Sequence, residues 1–101
     1  MARTTPTPLP RPARLGLGPT DVSIADDGFA PAVLRIKVGQ SVVWRNNSLL
    51  SHDVTPIRAG TWGSGPILPN NSVAEIFSVP GQYDYICSLH SVMRGRIIVE
   101  P

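Results

Sequence analysis

Turn-forming residues recur along the whole chain, and their spacing constrains the fold more than any other feature of the sequence. The 101 residues include eleven prolines and nine glycines, which favours many turns over long helices. Between the turns lie short segments in which apolar and polar residues alternate, such as Val33 to Val38 and Ser41 to Asn46. Alternation with a period of two is typical of half-buried strands. Strands separated by turns about every eight to twelve residues predict an all-β fold, a Greek-key β-sandwich of about seven or eight strands.

Two dipeptides mark the clearest turns between predicted strands. Gly39-Gln40 separates the two alternating segments, and Pro80-Gly81 precedes a later one. The segment from residue 49 to residue 71 is punctuated by glycine and proline and has no firm strand boundaries. Besides the two segments already named, strands are predicted over residues 21–25, 52–56, 72–79, 83–87 and 96–100.

Four aromatic residues are predicted to have structural roles. Trp44, Phe77 and Tyr85 are expected to fill the interior of the sandwich, because they lie on or beside its predicted strands. Tyr83 is expected to supply the hydroxyl of a tyrosine corner, which is a fold-stabilising device of Greek-key sandwiches. None of these residues is assigned any chemistry.

The first eighteen residues differ in composition from the rest of the chain. Residues 1–18 contain four prolines, three arginines and no acidic residue, which is typical of a flexible or polyproline-like arm. We therefore expect an arm over residues 1–18 and one folded domain over residues 19–101. Without the arm the net charge of +2 becomes about −1, since six basic residues then accompany seven acidic ones. A nearly neutral domain argues against nucleic-acid binding.

The chain shows no sign of a membrane segment. No run approaches the roughly eighteen apolar residues that span a bilayer, so we expect no transmembrane segment and a soluble chain. The first twenty residues also lack the apolar stretch of a secretory leader.

One short loop carries most of the chemistry in the sequence. Cys87, His90 and Met93 follow a Cys-x2-His-x2-Met spacing between two predicted strands, and His52 is the only other histidine. A thiolate, two imidazoles and a thioether form a ligand set that suits copper in both of its oxidation states. Cys87 would bind as the thiolate, the two histidines as neutral imidazoles, and Met93 as a weak axial ligand. Because His52 lies thirty-five residues before Cys87, only the folded chain assembles such a site.

The sequence resembles the cupredoxins, the small blue copper proteins. The similarity covers about residues 20–101, and the ligand loop is most like that of amicyanin within the plastocyanin and azurin group. The segments that carry the resemblance are Val38-Gly39 before the strand with Trp44, Ser51-His52, residues 80–83, residues 85–95 with the ligand loop, and residues 95–100.

The resemblance implies outer-sphere transfer of single electrons through the ring edge of His90, without bond-making catalysis. It therefore implies that the chain is no enzyme, and that it acts in the periplasm or outside the cell, although no leader is seen. We expect a monomer that meets redox protein partners through an apolar patch around His90. The predicted patch residues are Leu49, Leu50, Leu89 and Val92.

Several flanking positions depart from the usual cupredoxin pattern. Ser51 stands where a proline often precedes the first ligand histidine, and Asp53 stands where asparagine or threonine often follows it. In cupredoxins this following residue hydrogen-bonds to the loop around the cysteine, so Asp53 is expected to reach Ser88. A carboxylate close to copper favours the oxidised ion, which predicts a lowered reduction potential.

Each ligand candidate also has a structural interpretation. A lone cysteine is more often a buried core thiol than a ligand, and single histidines and methionines are similarly common in cores. The coincidence of all four positions favours the metal, since Met93 is the only methionine of the predicted domain. We therefore predict one copper ion bound by His52, Cys87, His90 and Met93.

Two other functions and one other metal are compatible with these residues. A copper carrier or storage module would use similar soft ligands but would be expected to have further exposed methionines or histidines. A second alternative is one domain of a larger copper oxidoreductase whose catalytic copper lies elsewhere. Zinc also binds cysteine and histidine, although methionine is an unusual zinc ligand.

Overall fold

Residues 20–58 and 62–101 are described in the computed structural model, and they form eight strands and no helix. Every second side chain of β1 and β4 is buried, and this alternation explains why these segments form strands. In chain order the strands are β1 (Asp21–Ala25), β2 (Gly28–Ala30), β3 (Val33–Lys37), β4 (Ser41–Asn46), β5 (Thr55–Pro56), β6 (Ser72–Ile76), β7 (Gly81–Cys87) and β8 (His90–Glu100).

The strands form two four-stranded sheets. One sheet has the strand order β2-β1-β4-β6, and the other has the order β3-β8-β7-β5. β1 lies parallel to β4 and β3 lies parallel to β8, whereas the other neighbouring strands are antiparallel. The chain passes back and forth between the sheets, so that strands distant in sequence become neighbours. The predicted all-β sandwich of about seven or eight strands is confirmed.

The predicted strand bounds hold for β1 and β4 but differ elsewhere. The alternation pattern indicates no strand over Gly28–Ala30, yet these residues pair with β1 in a hairpin. β8 begins at His90 rather than at the predicted Arg96, because its pairing with β7 continues as far as Cys87. β3 and β6 end one and three residues earlier than predicted.

An aromatic cluster occupies the interior of the sandwich. Trp44, Phe77 and Tyr85 are buried, as predicted. Trp62, to which the sequence assigned no role, packs against all three of them, with ring centroids 6.3 Å from Trp44, 5.4 Å from Phe77 and 6.0 Å from Tyr85. These separations are typical of favourable aromatic pairs. The other buried apolar residues are Val22, Ile24, Phe29, Ile36, Val42, Val54, Ile67, Cys87, Met93, Ile97 and Val99.

Two predicted local features of the sandwich, the tyrosine corner and the turn at Gly39, are present. The hydroxyl of Tyr83 donates a hydrogen bond to the carbonyl of Val79, which confirms the tyrosine corner. Gly39 has a φ of 91° in the turn between β3 and β4, and its N–H donates to the carbonyl of Phe77 at 2.8 Å. A residue with a side chain rarely adopts such a positive φ, so the turn favours glycine here.

The predicted arm over residues 1–18 lies outside the described residues. Within residues 20–58 and 62–101, no helix is long and apolar enough to span a bilayer.

Candidate metal centre

The structure brings three of the four predicted ligands together at one end of the sandwich. The Sγ of Cys87 lies 3.6 Å from the Nδ1 of His52 and 3.8 Å from the Nδ1 of His90. The rings of the two histidines are 4.7 Å apart between centroids. Within residues 20–58 and 62–101, these three residues are the only group of three or more histidine, cysteine or acidic side chains placed to hold a metal.

His52 is held in place by the segments on both sides of it. Its backbone forms a two-way hydrogen-bonded bridge with Ile67, with N···O distances of 3.2 and 2.6 Å. The preceding loop is organised by the buried side chain of Asn46, whose amide donates to the carbonyls of Leu50 and Ile67 at 2.9 and 2.7 Å. Asn46 also accepts a hydrogen bond from the N–H of Ser48 at 2.9 Å. A strand-ending asparagine therefore fixes the approach to the first histidine.

Cys87 and His90 face each other across the turn between β7 and β8. They are paired residues of the two antiparallel strands, and Ser88 and Leu89 form the turn between them. A register shift next to Cys87 marks an irregularity at this point of the ladder. Bulges of this kind often redirect side chains beside functional sites. Cys87 is fully buried, whereas His90 is only partly buried.

Met93 lies on β8 and is buried, with 1% of its surface exposed. It belongs to the same apolar cluster as Cys87. It immediately precedes Arg94, which pairs with Ile86, the neighbour of Cys87 on β7. The strand pairing therefore holds the thioether residue close to the cysteine.

Asp53 ties the His52 segment to the cysteine loop, as predicted. Its carboxylate accepts hydrogen bonds from the N–H of Ser88 at 2.7 Å and from the Ser88 hydroxyl. It also accepts from the Thr55 hydroxyl at 2.9 Å, while the Asp53 N–H points to the Cys87 sulfur at 3.4 Å. Asp53 is 6% exposed, so its carboxyl group is largely shielded from water.

The spacing of the three side chains fits a trigonal metal site. Zinc, another first-row metal, binds imidazole nitrogen at about 2.0 to 2.1 Å and thiolate sulfur at about 2.3 Å, so a nitrogen and a sulfur at 120° lie roughly 3.7 to 3.8 Å apart. The distances of 3.6 and 3.8 Å from Cys87 are close to these values. One thiolate, two imidazoles and a neighbouring thioether form the donor set of a copper site that transfers electrons. The residues present therefore fit a copper ion.

Four exposed apolar residues lie close in sequence to the ligand candidates. Leu49 and Val92 are each 86% exposed, and Leu50 and Leu89 are about half exposed. These four residues flank the two ligand segments, and His90 is the one member of the three-residue cluster that is not fully buried. Of the three clustered side chains, His90 is therefore the one that is partly exposed at the surface.

One residue near the site was not anticipated from the sequence. The carboxylate of Asp26 lies 3.7 Å from the Nε2 of His52, on the side of the ring away from Cys87. Asp26 belongs to the two-residue turn between β1 and β2. The only local signal is the Asp26-Asp27-Gly28 run, which is typical of a hairpin turn but does not indicate which side chain the turn approaches.

Comparisons with known proteins point in the same direction. No protein-family model matches the chain. Amicyanin-alpha of Methylorubrum extorquens is 39% identical over 88 residues, which cover 82% of this chain and 73% of that protein. Amicyanin of Paracoccus denitrificans is 33% identical over 93 residues, covering 87% of this chain and 70% of the relative. Chloroplastic plastocyanin of Tetradesmus obliquus is 34% identical over 91 residues, covering 75% of this chain and 63% of the relative.

Solved structures show the same fold. A purple cupredoxin from Nitrosopumilus maritimus superimposes with a TM-score of 0.76 at 23% identity, covering 80% of this chain and 99% of that one. The Cu(I) form of an amicyanin variant gives a TM-score of 0.76 at 28% identity, covering 87% of this chain and 88% of the other.

Proposed function

Because the chain belongs to the cupredoxin family, we propose that it is a small blue copper protein that carries single electrons between redox partners. The observation that carries this conclusion is the cluster of Cys87, His52 and His90, buried except at one imidazole. A bound copper ion supplies the one-electron chemistry by alternating between two oxidation states. The protein is an electron carrier and not an enzyme.

The protein's own groups restrict what can happen at the site. Cys87 and His52 are fully buried, so the chain excludes water from that side of the centre. Asp53 holds Ser88 and so limits movement of the cysteine loop. A ligand cage that cannot rearrange keeps the same geometry for both oxidation states, which favours fast outer-sphere transfer over substrate binding at the metal.

The proposed ligands are His52, Cys87, His90 and Met93. The interatomic distances around Cys87 support the first three, and the burial of Met93 beside the β7–β8 ladder supports the fourth. Met93 would be the weakest of the four ligands, since a thioether tunes the potential of a copper site but contributes little to holding the metal.

The ligand set is tested by adding Cu(II) to the purified protein. We expect an intense blue or green colour that ascorbate bleaches and air or ferricyanide restores. Cys87→Ser is expected to abolish the colour, because the serine hydroxyl cannot replace the thiolate. Met93→Leu is the matched control, and it is expected to remain coloured with a changed reduction potential. A colourless, redox-silent wild-type protein would contradict the proposed function.

We further propose that partners dock on the apolar patch formed by Leu49, Leu50, Leu89 and Val92, and that the chain is a monomer in the periplasm or outside the cell. The exposure of the patch next to His90 supports the docking site. Large exposed apolar groups around a functional group are typical of a surface that meets another protein. His90 is the partly buried ligand candidate and stands between Leu89 and Val92 in the sequence, so docking there would shorten the path that the electron travels.

The patch is tested through electron self-exchange between oxidised and reduced copies of the protein. Val92→Lys is expected to slow self-exchange by about tenfold, equivalent to about 1.4 kcal/mol, because it places like charges in the encounter surface. Ile76→Lys is the matched control, since Ile76 is 65% exposed on β6 in the other sheet. Equal effects of the two substitutions would reject the patch. Sedimentation of the wild-type protein at micromolar concentration tests the monomer.

A further inference from the structure

The outer nitrogen of His52 is buried and lacks a partner. Its Nδ1 faces the Cys87 sulfur at 3.6 Å, while its Nε2 has less than 1 Å² of accessible surface and no hydrogen-bond partner among the described residues. If Nδ1 offers its lone pair to a metal, the neutral ring must carry its proton on Nε2. A buried N–H donor without an acceptor is costly, so this proton requires a partner.

The Asp26 carboxylate is in position to be that partner. Its Oδ1 lies 3.7 Å from His52 Nε2, and no other carboxylate of residues 20–58 and 62–101 lies within 4.0 Å of this nitrogen. The turn that carries Asp26 is held by pairing of β1 with β2, including Ala25 with Gly28. Asp26 is 56% exposed, which leaves its side chain room to close the gap to the usual hydrogen-bond distance of about 2.7 to 3.2 Å.

We infer that Asp26 is a positioning residue for the copper centre, accepting a hydrogen bond from His52 Nε2–H and so holding Nδ1 towards the metal. This inference rests on the proposed ligand role of His52. Metal-binding histidines commonly donate their second N–H to a carboxylate, which fixes the tautomer and the ring orientation. The carboxylate also makes the imidazole more electron-rich, which favours the oxidised ion.

Asp26 and Asp53 act on the centre in different ways. Asp53 is buried and holds the cysteine loop through Ser88. Asp26 lies in the β1–β2 turn, and its carboxylate faces the Nε2 of His52. Two carboxylates from separate segments therefore support two different ligands.

Three variants of the full chain distinguish the effect of the Asp26 hydrogen bond from the effect of the Asp26 charge. Asp26→Ala removes both, while Asp26→Asn keeps an acceptor oxygen but removes the charge. Asp27→Ala is the matched control, because Asp27 is the exposed, equally charged neighbour in the same turn. Both positions, 26 and 27, are at the surface of the turn, so the fold is expected to tolerate the three changes.

The first measurement uses metal-free protein labelled with 15N-histidine. Nuclear magnetic resonance should show the wild-type His52 protonated on Nε2, with a slowly exchanging proton. We expect Asp26→Ala to make this proton exchange faster, while Asp26→Asn and Asp27→Ala leave exchange slow. An unchanged proton in Asp26→Ala would overturn the inference. This readout needs no copper, so it is independent of whether the proposed function holds.

The second measurement is made on copper-loaded protein. We expect Asp26→Ala to weaken Cu(II) binding by about tenfold relative to Cu(I), which corresponds to a rise of about 59 mV in reduction potential. Asp26→Asn should also raise the potential, and Asp27→Ala should change it little. Equal shifts for Asp26→Ala and Asp27→Ala would show only a through-space charge effect and would overturn the inference. Failure of the wild-type protein to bind copper would instead reject the proposed function.

Discussion

Asp53 is the residue that most distinguishes this site, because it places a buried negative charge beside the cysteine loop. Its carboxylate accepts two hydrogen bonds from Ser88 and one from Thr55. Its backbone N–H also points to the Cys87 sulfur. We therefore expect this residue to have a mechanical role, which is to hold the loop, and an electrostatic role, which is to favour the more positive metal ion.

Asp53→Asn separates these two roles. The amide oxygen can still accept from the Ser88 N–H, so the loop is expected to stay in place while the charge is lost. We expect the reduction potential to rise by roughly 60 mV, equivalent to about a tenfold change in the preference for Cu(II) over Cu(I). Voltammetry measures the shift. Glu100→Gln, at the opposite end of β8, serves as the control, and an unchanged or lowered potential in Asp53→Asn would refute the electrostatic role.

Tyr85 is a buried residue whose ionisation affects stability at high pH. Burial raises the pKa of Tyr85 from 10.0 to about 12, and the nearby Trp44 side chain opposes the shift only in part. The unfolded chain therefore loses this proton at lower pH than the folded protein. The resulting stabilisation is fully present below about pH 10 and is lost as the pH rises towards 12.

Tyr85→Phe tests this dependence. Between pH 10 and 12 the wild-type protein is expected to lose about 2 to 3 kcal/mol of unfolding free energy through Tyr85. Tyr85→Phe is expected to lack this loss, and urea titration at each pH measures it. Tyr83→Phe is the matched control. It loses the hydrogen bond to Val79 and is expected to cost about 1 kcal/mol at neutral pH, but to keep the alkaline loss. An alkaline loss as large in Tyr85→Phe as in the wild type would contradict the assignment.

The hairpin of β7 and β8 carries three of the four proposed ligands, Cys87, His90 and Met93. Their ladder runs from Gly81 paired with Val99 to Cys87 paired with His90. The Tyr85 ring crosses this ladder over Gly95, its paired residue on β8. A methyl group at Gly95 would lie 2.2 Å from Tyr85 Cζ, closer than two carbon atoms can approach. Glycine at position 95 therefore leaves room for the Tyr85 ring to lie across β8. Tyr85 is two residues from Cys87 on β7.

Gly95→Ala is expected to destabilise the protein by about 1 to 3 kcal/mol, because the ring of Tyr85 or the strand must move. Chemical denaturation measures the loss. Gly28→Ala in β2 is the control, since a methyl group there would have no neighbour within 4 Å, and its effect is expected to be about 0.5 kcal/mol or less. Similar losses in the two variants would show that the clash with Tyr85 is unimportant.

At the scale of the whole molecule, copper would join two segments that the fold brings together from distant parts of the chain. His52 follows the β4 loop, whereas Cys87 and His90 lie on β7 and β8. A ligand that binds only the folded chain stabilises it by mass action. Copper binding and folding are therefore expected to be linked.

We expect copper to raise the melting temperature of the protein. At a free concentration of about one hundred times Kd, binding adds about 2.7 kcal/mol, which for a domain of this size corresponds to roughly 10 °C or more. Thermal unfolding followed by circular dichroism measures the change. A chelator should return the melting temperature to the metal-free value, and Cys87→Ser should show no comparable rise. A copper-induced rise of equal size in Cys87→Ser would place the stabilising ion elsewhere.

Local patterns in the sequence predicted the parts of the fold that depend on neighbouring residues. Alternation in Asp21–Ala25 and Ser41–Asn46 predicted the bounds of β1 and β4, because burial on one face of a strand leaves a period of two in the sequence. The spacing of Cys87, His90 and Met93 likewise predicted a metal site from local sequence. Residues on either side of one tight turn are close whatever the rest of the chain does.

Tertiary structure decided the features that depend on which strands become neighbours. The early start of β8 at His90 follows from its pairing with β7, and the hairpin strand Gly28–Ala30 is too short to show alternation. The approach of Asp26 to His52 has no local signature, because it joins a turn of one strand pair to a loop that follows another strand. The sequence by itself determined the position of most strands and the chemistry of the ligands. The packing of two sheets determined the distances between those ligands, since contacts between distant residues exist only after the sandwich has closed.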